Sequence, residues 1–182
     1  MDEKHLVIPS SKLEEVLLPQ LVGEVFHVTP QEAARHILAD GVIKNNKNGQ
    51  FRFIFPQAEN SYFRRKGCVC LFDLRSRSQE VIEDALLKYP FLNPTNAVKP
   101  VFFLLDKSLC QNLITYADFL NEKSHDTIII PHVEAGYLGE ICLQMISMIL
   151  WVDLTHADEK NNSCSLRRLL DRIEIQSAKH TD

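Results

Sequence analysis

A chain of 182 residues with 45% hydrophobic and 24% charged residues has the composition of a globular protein, and its length fits one domain. The formal net charge of −4 provides no general attraction to nucleic acid or to an anionic membrane. The longest apolar run, ICLQMISMILWVDL, is too short to span a bilayer, and the first residues lack the pattern of a signal peptide. We therefore expect a cytoplasmic protein.

The cysteines and histidines do not predict a metal site. There are five cysteines, an odd number, and they do not form the paired C-x-x-C spacings of a zinc site, so reduced thiols are expected. His132 and Glu134 face the same way in an extended chain and would need His125 or His156 as a third ligand. Because no third ligand lies at short spacing, we expect no metal.

The first half of the chain predicts alternating helices and strands. Residues 1–22 read as a helical lead-in, because SSKLEEVLL carries a capping box and Pro19 follows it. The segment EVFHV then predicts a short strand. TPQEAARHILADG predicts a helix with Thr29 as its N-cap, Pro30 at the first helical position and Gly41 at its C-terminal cap. QFRFIF alternates as a half-buried strand does, and CVCLFDL reads as a buried strand.

The second half continues this mixture. SQEVIEDALLKY and SLCQNLITYADFL predict helices, whereas VFFLLD and TIIIPH predict strands. The charged tail over 153–182 predicts at most one amphipathic helix, from about Ser165 to Ile175. The pattern indicates an α+β domain over 23–152, between the lead-in and the tail. No glycine-rich turn of the dinucleotide-binding type follows any strand.

Three groups of polar residues are candidates for a site. His27 stands at the end of its strand, directly before a helix, where it could bind a ribose hydroxyl or act as a base, or simply bond a neighbouring carbonyl. SYFRRKG offers a stacking ring at Tyr62 or Phe63 and phosphate-binding guanidinium groups at Arg64 and Arg65, or is only a solvated basic loop. Glu134 and Glu140 flank a glycine-containing loop and are either site carboxylates or surface residues.

The order of these pieces resembles the ADP-ribosyltransferase superfamily. FHVTPQEAARHILADGVIK is similar to the family's opening strand with H-x-T or H-x-S, followed by a short helix and x-x-G-[ILV]. GCVCLFDLRSRS is similar to the second core strand, G-x-Y-F-A-x-x-x-x-x-S. The aromatic residue that stacks on nicotinamide in the family falls at Cys70 here, which departs from the pattern.

The resemblance implies a fold of two small antiparallel sheets that form a cleft for NAD, with helices on the outside. It implies that His27 binds the adenosine-side ribose or the nicotinamide half of NAD, that Thr29 lines the same edge, and that Tyr62 supplies the missing ring. Glu140, or in competition with it Glu134, would stabilise the oxocarbenium-like transition state. NAD would be a substrate, and ADP-ribose would pass to a protein or nucleic-acid acceptor, as in a toxin, effector or modifier.

Two further functions fit the same residues. The first is a protein that binds or inhibits a partner through the cleft or an apolar face, without catalysis. The second is a metal-independent ribonuclease that uses His27, Arg64 and Tyr62, for which the RRK run would supply local positive charge.

Overall fold

Two sheets and five α-helices make up the computed structural model, which describes residues 1–53, 55, 58–89, 91–92, 99–122 and 126–155. The strands are β1 (Asp2–Pro9), β2 (Val25–Pro30), β3 (Val42–Ile43), β4 (Cys68–Asp73), β5 (Pro100–Leu105), β6 (Glu134–Leu138), β7 (Ile141–Cys142) and β8 (Ile146–Thr155). The α-helices are α1 (Leu13–Leu21), α2 (Gln31–Asp40), α3 (Tyr62–Lys66), α4 (Gln79–Lys88) and α5 (Tyr116–Glu122). The predicted α+β class is confirmed.

The larger sheet has six strands in the order β1-β8-β5-β2-β4-β6. β1 runs parallel to β8, and the other neighbouring strands are antiparallel. The smaller sheet pairs β3 with β7 in antiparallel register. The resemblance implied two small antiparallel sheets, whereas the observed large sheet is mixed because β1 joins its edge in parallel.

The two faces of the large sheet pack against different helices. Alternate residues of a strand point to opposite faces, so Phe26 and Val28 lie on one face, and Val25, His27 and Thr29 lie on the other. We call the face of Phe26 the back face and the face of His27 the front face. The back face packs against α1 and α4, and the front face packs against α2 and the β3–β7 sheet. His27 is therefore on the face that packs against the smaller sheet and α2.

The elements on either side of β2 differ from the predictions at the N-terminal strand, at the end of α1 and at the start of α2. Residues 2–9 form the strand β1, although the sequence predicts a helical lead-in over 1–22. α1 continues through Pro19 to Leu21 because Leu13, Leu17 and Leu21 are buried in the back-face core, and this burial outweighs the cost of a proline in the helix. Thr29 is a strand residue, and α2 starts at Gln31, with Pro30 at the N-cap.

Other elements match the predictions only in part. The buried strands β4 and β5 and the helix α4, whose N-cap is Ser78, are confirmed. Gly41 caps α2 with a φ of 75°, as predicted. The predicted strand of QFRFIF is wrong, because residues 51–53 and 55 belong to no strand. SLCQNLITYADFL divides into a 3-10 helix (Lys107–Asn112) and α5, and TIIIPH forms an isolated bridge at Ile128 instead of a strand.

The chain after Thr155 lies outside the described residues, and so does the helix predicted from Ser165 to Ile175. The lead-in is joined to the rest of the chain, because all eight residues of β1 pair with β8. Within the described ranges no helix is long and apolar enough to cross a membrane.

Gly136 tests how tightly β6 packs against α3. A Cβ at this position would overlap the ring of Phe63 and lie 2.9 Å from Cβ of Cys68. We expect Gly136→Ala to lower the free energy of unfolding by about 1–3 kcal/mol, as overpacking of a core does. Urea denaturation of the purified protein measures this. The double variant Gly136→Ala/Phe63→Leu should be less destabilised than the sum of the two single variants, and simple additivity would contradict the predicted overlap.

Candidate functional site

His27 is the third of the six residues of β2 and not at its end as predicted, because Val28 to Pro30 continue the ladder with β5; it lies where β2 and β4 separate. The ladder between these strands contains only two residue pairs, Val25 with Asp73 and Phe26 with Phe72. Beyond Phe26, Nδ1 of His27 lies 2.9 Å from the carbonyl oxygen of Cys70. The imidazole thus bonds a carbonyl that β2 leaves without a ladder partner. The sequence offered a histidine that simply bonds a neighbouring carbonyl as one interpretation, and this is what Nδ1 of the ring does.

The other ring nitrogen is available to a ligand. A carbonyl only accepts, so Nδ1 must carry the proton and donate to Cys70. Burial lowers the pKa of His27, and the bond to Cys70 opposes that shift without cancelling it. The ring is therefore neutral near pH 7, and its Nε2 is an acceptor. Among the described residues nothing hydrogen-bonds to Nε2, and His27 is only half-buried.

Thr29 and Asp73 share the front face with His27. Thr29 is two residues further along β2 and is buried, with Val101 of β5 as its register partner. Asp73 pairs with Val25 and is also buried. Arg75 donates to both oxygens of Asp73 at 2.9 Å, and Nη2 of Arg77 lies 3.7 Å from Oδ2. Two guanidinium groups therefore share one carboxylate, and the carboxylates of Glu24 and Asp106 also lie near Cys110, the thiol beside Arg75.

Sequence reasoning missed Asp73, Arg75 and Arg77 as site candidates. The signal was present, because FDLRSR places a carboxylate at the end of an apolar strand, with arginines two and four residues later. An aspartate in that position is buried by its strand and requires a cationic partner. Arg64 and Arg65, which the sequence pattern favours as phosphate ligands, lie in α3.

Glu134 lies on the other side of the sheet. It is in register with Phe72, whose partner is Phe26, so its side chain belongs to the back face and not to the face of His27. Glu134 is 8% exposed and accepts hydrogen bonds from Ser61 Oγ at 3.1 Å and from the backbone N–H of Ile130 at 2.7 Å. Burial raises the pKa of Glu134 to about 7, against the effect of these two bonds. The structure therefore separates Glu134 from His27.

Cys70 and Tyr62 belong to the same interior region as Glu134. Cys70 is on the back face, 3.7 Å from Ser61 Oγ, and burial raises the pKa of its thiol to about 12. Tyr62 is 3% exposed, and its ring packs against Phe63 and Phe119 with centroid separations of 5.1 and 5.0 Å. Neither side chain is placed beside His27, so in this conformation neither supplies a ring or a thiol to a ligand bound there.

Arg64 and Arg65 differ in what they contact. Arg64 donates to the backbone carbonyls of Asn46 and Glu59, at 2.8 and 2.6 Å, and its guanidinium lies over the ring of Phe53. Arg65 is exposed and donates to Oδ1 of Asn60 at 3.1 Å. Arg64 thus holds the loop before α3, and the structure does not join it to His27 and Tyr62 as the ribonuclease interpretation requires.

Glu140 is an exposed residue directly before β7. The following residue, Ile141, is buried in the front-face core with Val69 and Leu71 of β4. The preceding Gly139 donates its N–H to the carbonyl of Gly67 and accepts from Asn45. These contacts hold Glu140 at the rim of the small sheet, on the side of the molecule where His27 lies, with Lys44 as its cationic neighbour.

A pocket of about 350 Å³ opens elsewhere, where β5 ends and β8 begins. Its lining includes three carboxylates, Asp2, Glu24 and Asp106, and none of the residues predicted for the site. A hydrogen bond from Ser108 lowers the pKa of Asp106, which keeps that carboxylate ionised. Such a lining repels an anionic ligand. In the described part of the chain no three metal-ligating side chains are grouped closely enough to hold an ion.

Comparison with known proteins gives no match: no protein-family model matches the chain, and neither a curated protein nor a solved structure matches it at a significant level.

Glu134 predicts a characteristic pH dependence of stability. Its folded pKa is raised, so its protonated form is favoured in the fold, and its contribution is fully present below the unfolded pKa of 4.5 and is lost as pH rises to about 7. A shift of this size corresponds to about 3 kcal/mol. Relative to Glu134→Gln, whose amide accepts from the N–H of Ile130 and donates to Ser61 Oγ without ionising, wild type should lose stability between pH 4.5 and 7.

Urea denaturation of both proteins across this pH range measures the difference. Glu140→Gln removes an exposed carboxylate and is the control, since its stability curve should follow that of wild type. Parallel curves for wild type and Glu134→Gln would contradict a buried, protonated Glu134.

Proposed function

We propose that this chain transfers ADP-ribose from NAD to a macromolecular acceptor. The observation that carries the proposal is His27, whose bond to Cys70 fixes the neutral tautomer and leaves Nε2 as an acceptor on the front face. A ribose hydroxyl is the complementary donor. Two features of the fold are compatible with a cleft of the ADP-ribosyltransferase type. The chain is of the α+β class, and a second sheet packs over the face of the large sheet that carries His27.

In this proposal the front face binds NAD. A ribose hydroxyl donates to Nε2 of His27, and Thr29 lines the same edge of the ligand. The charged groups on this face include Arg75 and Arg77, which share Asp73 and so favour the diphosphate electrostatically. This assignment replaces Arg64 as the diphosphate ligand, because Arg64 is bonded to backbone carbonyls of the loop before α3.

Glu140 is the carboxylate that we assign to the chemical step. As the bond between C1′ of the ribose and nicotinamide breaks, the electron pair leaves with nicotinamide and positive charge develops on the sugar. A carboxylate aimed at that charge lowers the barrier, and a nucleophile of the acceptor then bonds to C1′ and loses its proton. We favour Glu140 over Glu134 because Glu134 is on the back face, away from His27, and burial raises its pKa to about 7.

NAD binding is the first test of this function. Ligand at 100 times its dissociation constant stabilises a folded protein by about 2.7 kcal/mol, which corresponds to a rise of several degrees in the unfolding midpoint. We expect this rise in wild type and in His36→Ala, which replaces an exposed histidine of α2, and not in His27→Ala. Thermal unfolding with and without millimolar NAD measures it. The absence of any shift in wild type would reject the proposal.

Nicotinamide release tests the chemical step. Glu140→Gln should lower the rate by about 10²- to 10³-fold, the usual cost of removing a group that stabilises transition-state charge. Glu32→Gln, an exposed carboxylate of α2, should leave the rate unchanged. Chromatographic quantification of nicotinamide measures the rate. Loss of activity in Glu134→Gln with full activity in Glu140→Gln would reverse our assignment of the two glutamates.

The affinity for NAD should fall in acid. Because the pKa of His27 is lowered below 6.5, Nε2 stays an acceptor at pH 7 and becomes a donor only as pH falls through that lowered value. Calorimetric titration from pH 8 to pH 5 should show weaker binding at the acid end. His27→Gln retains an acceptor that does not titrate, so its weaker affinity should not change with pH over this range. An equal pH dependence in both proteins would assign the titration to another group.

A further inference from the structure

The charge of the chain is unevenly distributed. Residues 42–67 contain six lysine or arginine residues and one acidic residue, Glu59, although the whole chain has a net charge of −4. In the fold, the loop of residues 44–53 packs against α3 and forms one surface with it. Arg64 of α3 donates to the carbonyl of Asn46, and the side chain of Lys47 extends over Gly67. We call the surface made by residues 44–53 and α3 the basic patch.

Three cations of the basic patch are free to bind an anion. Lys47, Arg52 and Arg65 are exposed, and none of them has a carboxylate partner among the described residues. The other cations have partners: Lys44 pairs with Asp40, Lys66 pairs with Glu122, and Arg64 is bonded to the backbone. The acidic groups nearby are Glu59 within the segment, Asp40 and Glu140 beside Lys44, and Glu122 and Asp118 beside Lys66.

An aromatic side chain projects from the same surface. Phe51 is 45% exposed, yet its backbone is held on both sides by Asn46, whose side chain accepts from the N–H of Phe51 and donates to its carbonyl, at 2.9 and 2.8 Å. Gly49 closes the turn between them with a φ of 68°. The ring is therefore presented to solvent from an ordered turn, where an exposed phenyl group otherwise carries a cost.

We propose that the basic patch binds single-stranded nucleic acid. Unpaired lysine and arginine side chains attract the phosphate backbone, and an exposed ring offers a surface on which an unpaired base stacks. An acidic peptide would use the cations but not the ring, and in duplex nucleic acid the bases are already stacked on one another. The inference rests on the proposed function in one respect, since the bound strand would be the acceptor of ADP-ribose. The patch is next to the proposed catalytic carboxylate, because Asn45 of the patch contacts Gly139, the residue before Glu140.

Binding is measured without NAD, so its outcome is separate from that of the NAD experiments. The probe is a fluorescein-labelled single strand of about 12 nucleotides, in DNA and RNA forms, titrated with the full chain by fluorescence anisotropy. Neutralising three or four phosphates predicts that affinity falls by about 20- to 50-fold when salt rises from about 50 to about 200 mM. Phe51→Ala should weaken binding by roughly 5- to 150-fold, the range for loss of one stacked base.

A matched pair of triple variants separates the patch from general charge. Lys47→Ala/Arg52→Ala/Arg65→Ala should abolish measurable binding. Lys12→Ala/Arg35→Ala/Lys107→Ala removes three exposed cations of other surfaces that form no ion pair within the described ranges, and this variant should bind as wild type does. No binding by wild type at about 50 mM salt, or equal losses in the two triple variants, would overturn the proposal. Polyglutamate is the competing probe. If wild type binds it more tightly than the single strands, and Phe51→Ala does not weaken that binding, the patch would be assigned to an acidic protein instead.

Discussion

The hydrogen bond between His27 and the carbonyl of Cys70 is the interaction on which the proposed site depends. β2 and β4 pair over only two residues, and beyond Phe26 the imidazole occupies the place where ladder bonds would continue. A buried carbonyl without a partner costs free energy, so the bond stabilises the point where the strands separate. It also fixes the ring orientation and the tautomer. One contact thus supports the fold and leaves Nε2 without a hydrogen-bond partner among the described residues.

The sheet separates two groups of polar residues that appear equivalent in the sequence. His27, Thr29 and Asp73 lie on the front face, whereas Cys70 and Glu134 lie on the back face with Ser61. The difference is one of alternation along the strands, and it determines the chemistry. Glu134, buried on the back face, has its pKa raised to about 7 by desolvation, whereas Glu140 is exposed beside the small sheet, where our proposal places the carboxylate of the chemical step.

The basic segment illustrates how one motif divides between structure and binding. Of the arginines in SYFRRKG, Arg64 fastens the preceding loop and Arg65 faces solvent, because successive helix positions differ by about 100° in direction. The same loop holds Phe51 outward through Asn46. A motif that reads as a phosphate clamp in the sequence therefore becomes a support for an exposed surface beside the small sheet.

Local sequence was sufficient for the α+β class, for the apolar strands β4 and β5, for α4 and for the Gly41 cap, since each depends on residues within one element. It also drew attention to His27. It did not predict β1, because DEKHLVIP becomes a strand by pairing with β8, which lies more than 140 residues later. It did not separate Glu134 from Glu140 or place Arg64 against Asn46. Register, strand order and burial decide which side chains meet, and these arise only when distant segments pack together.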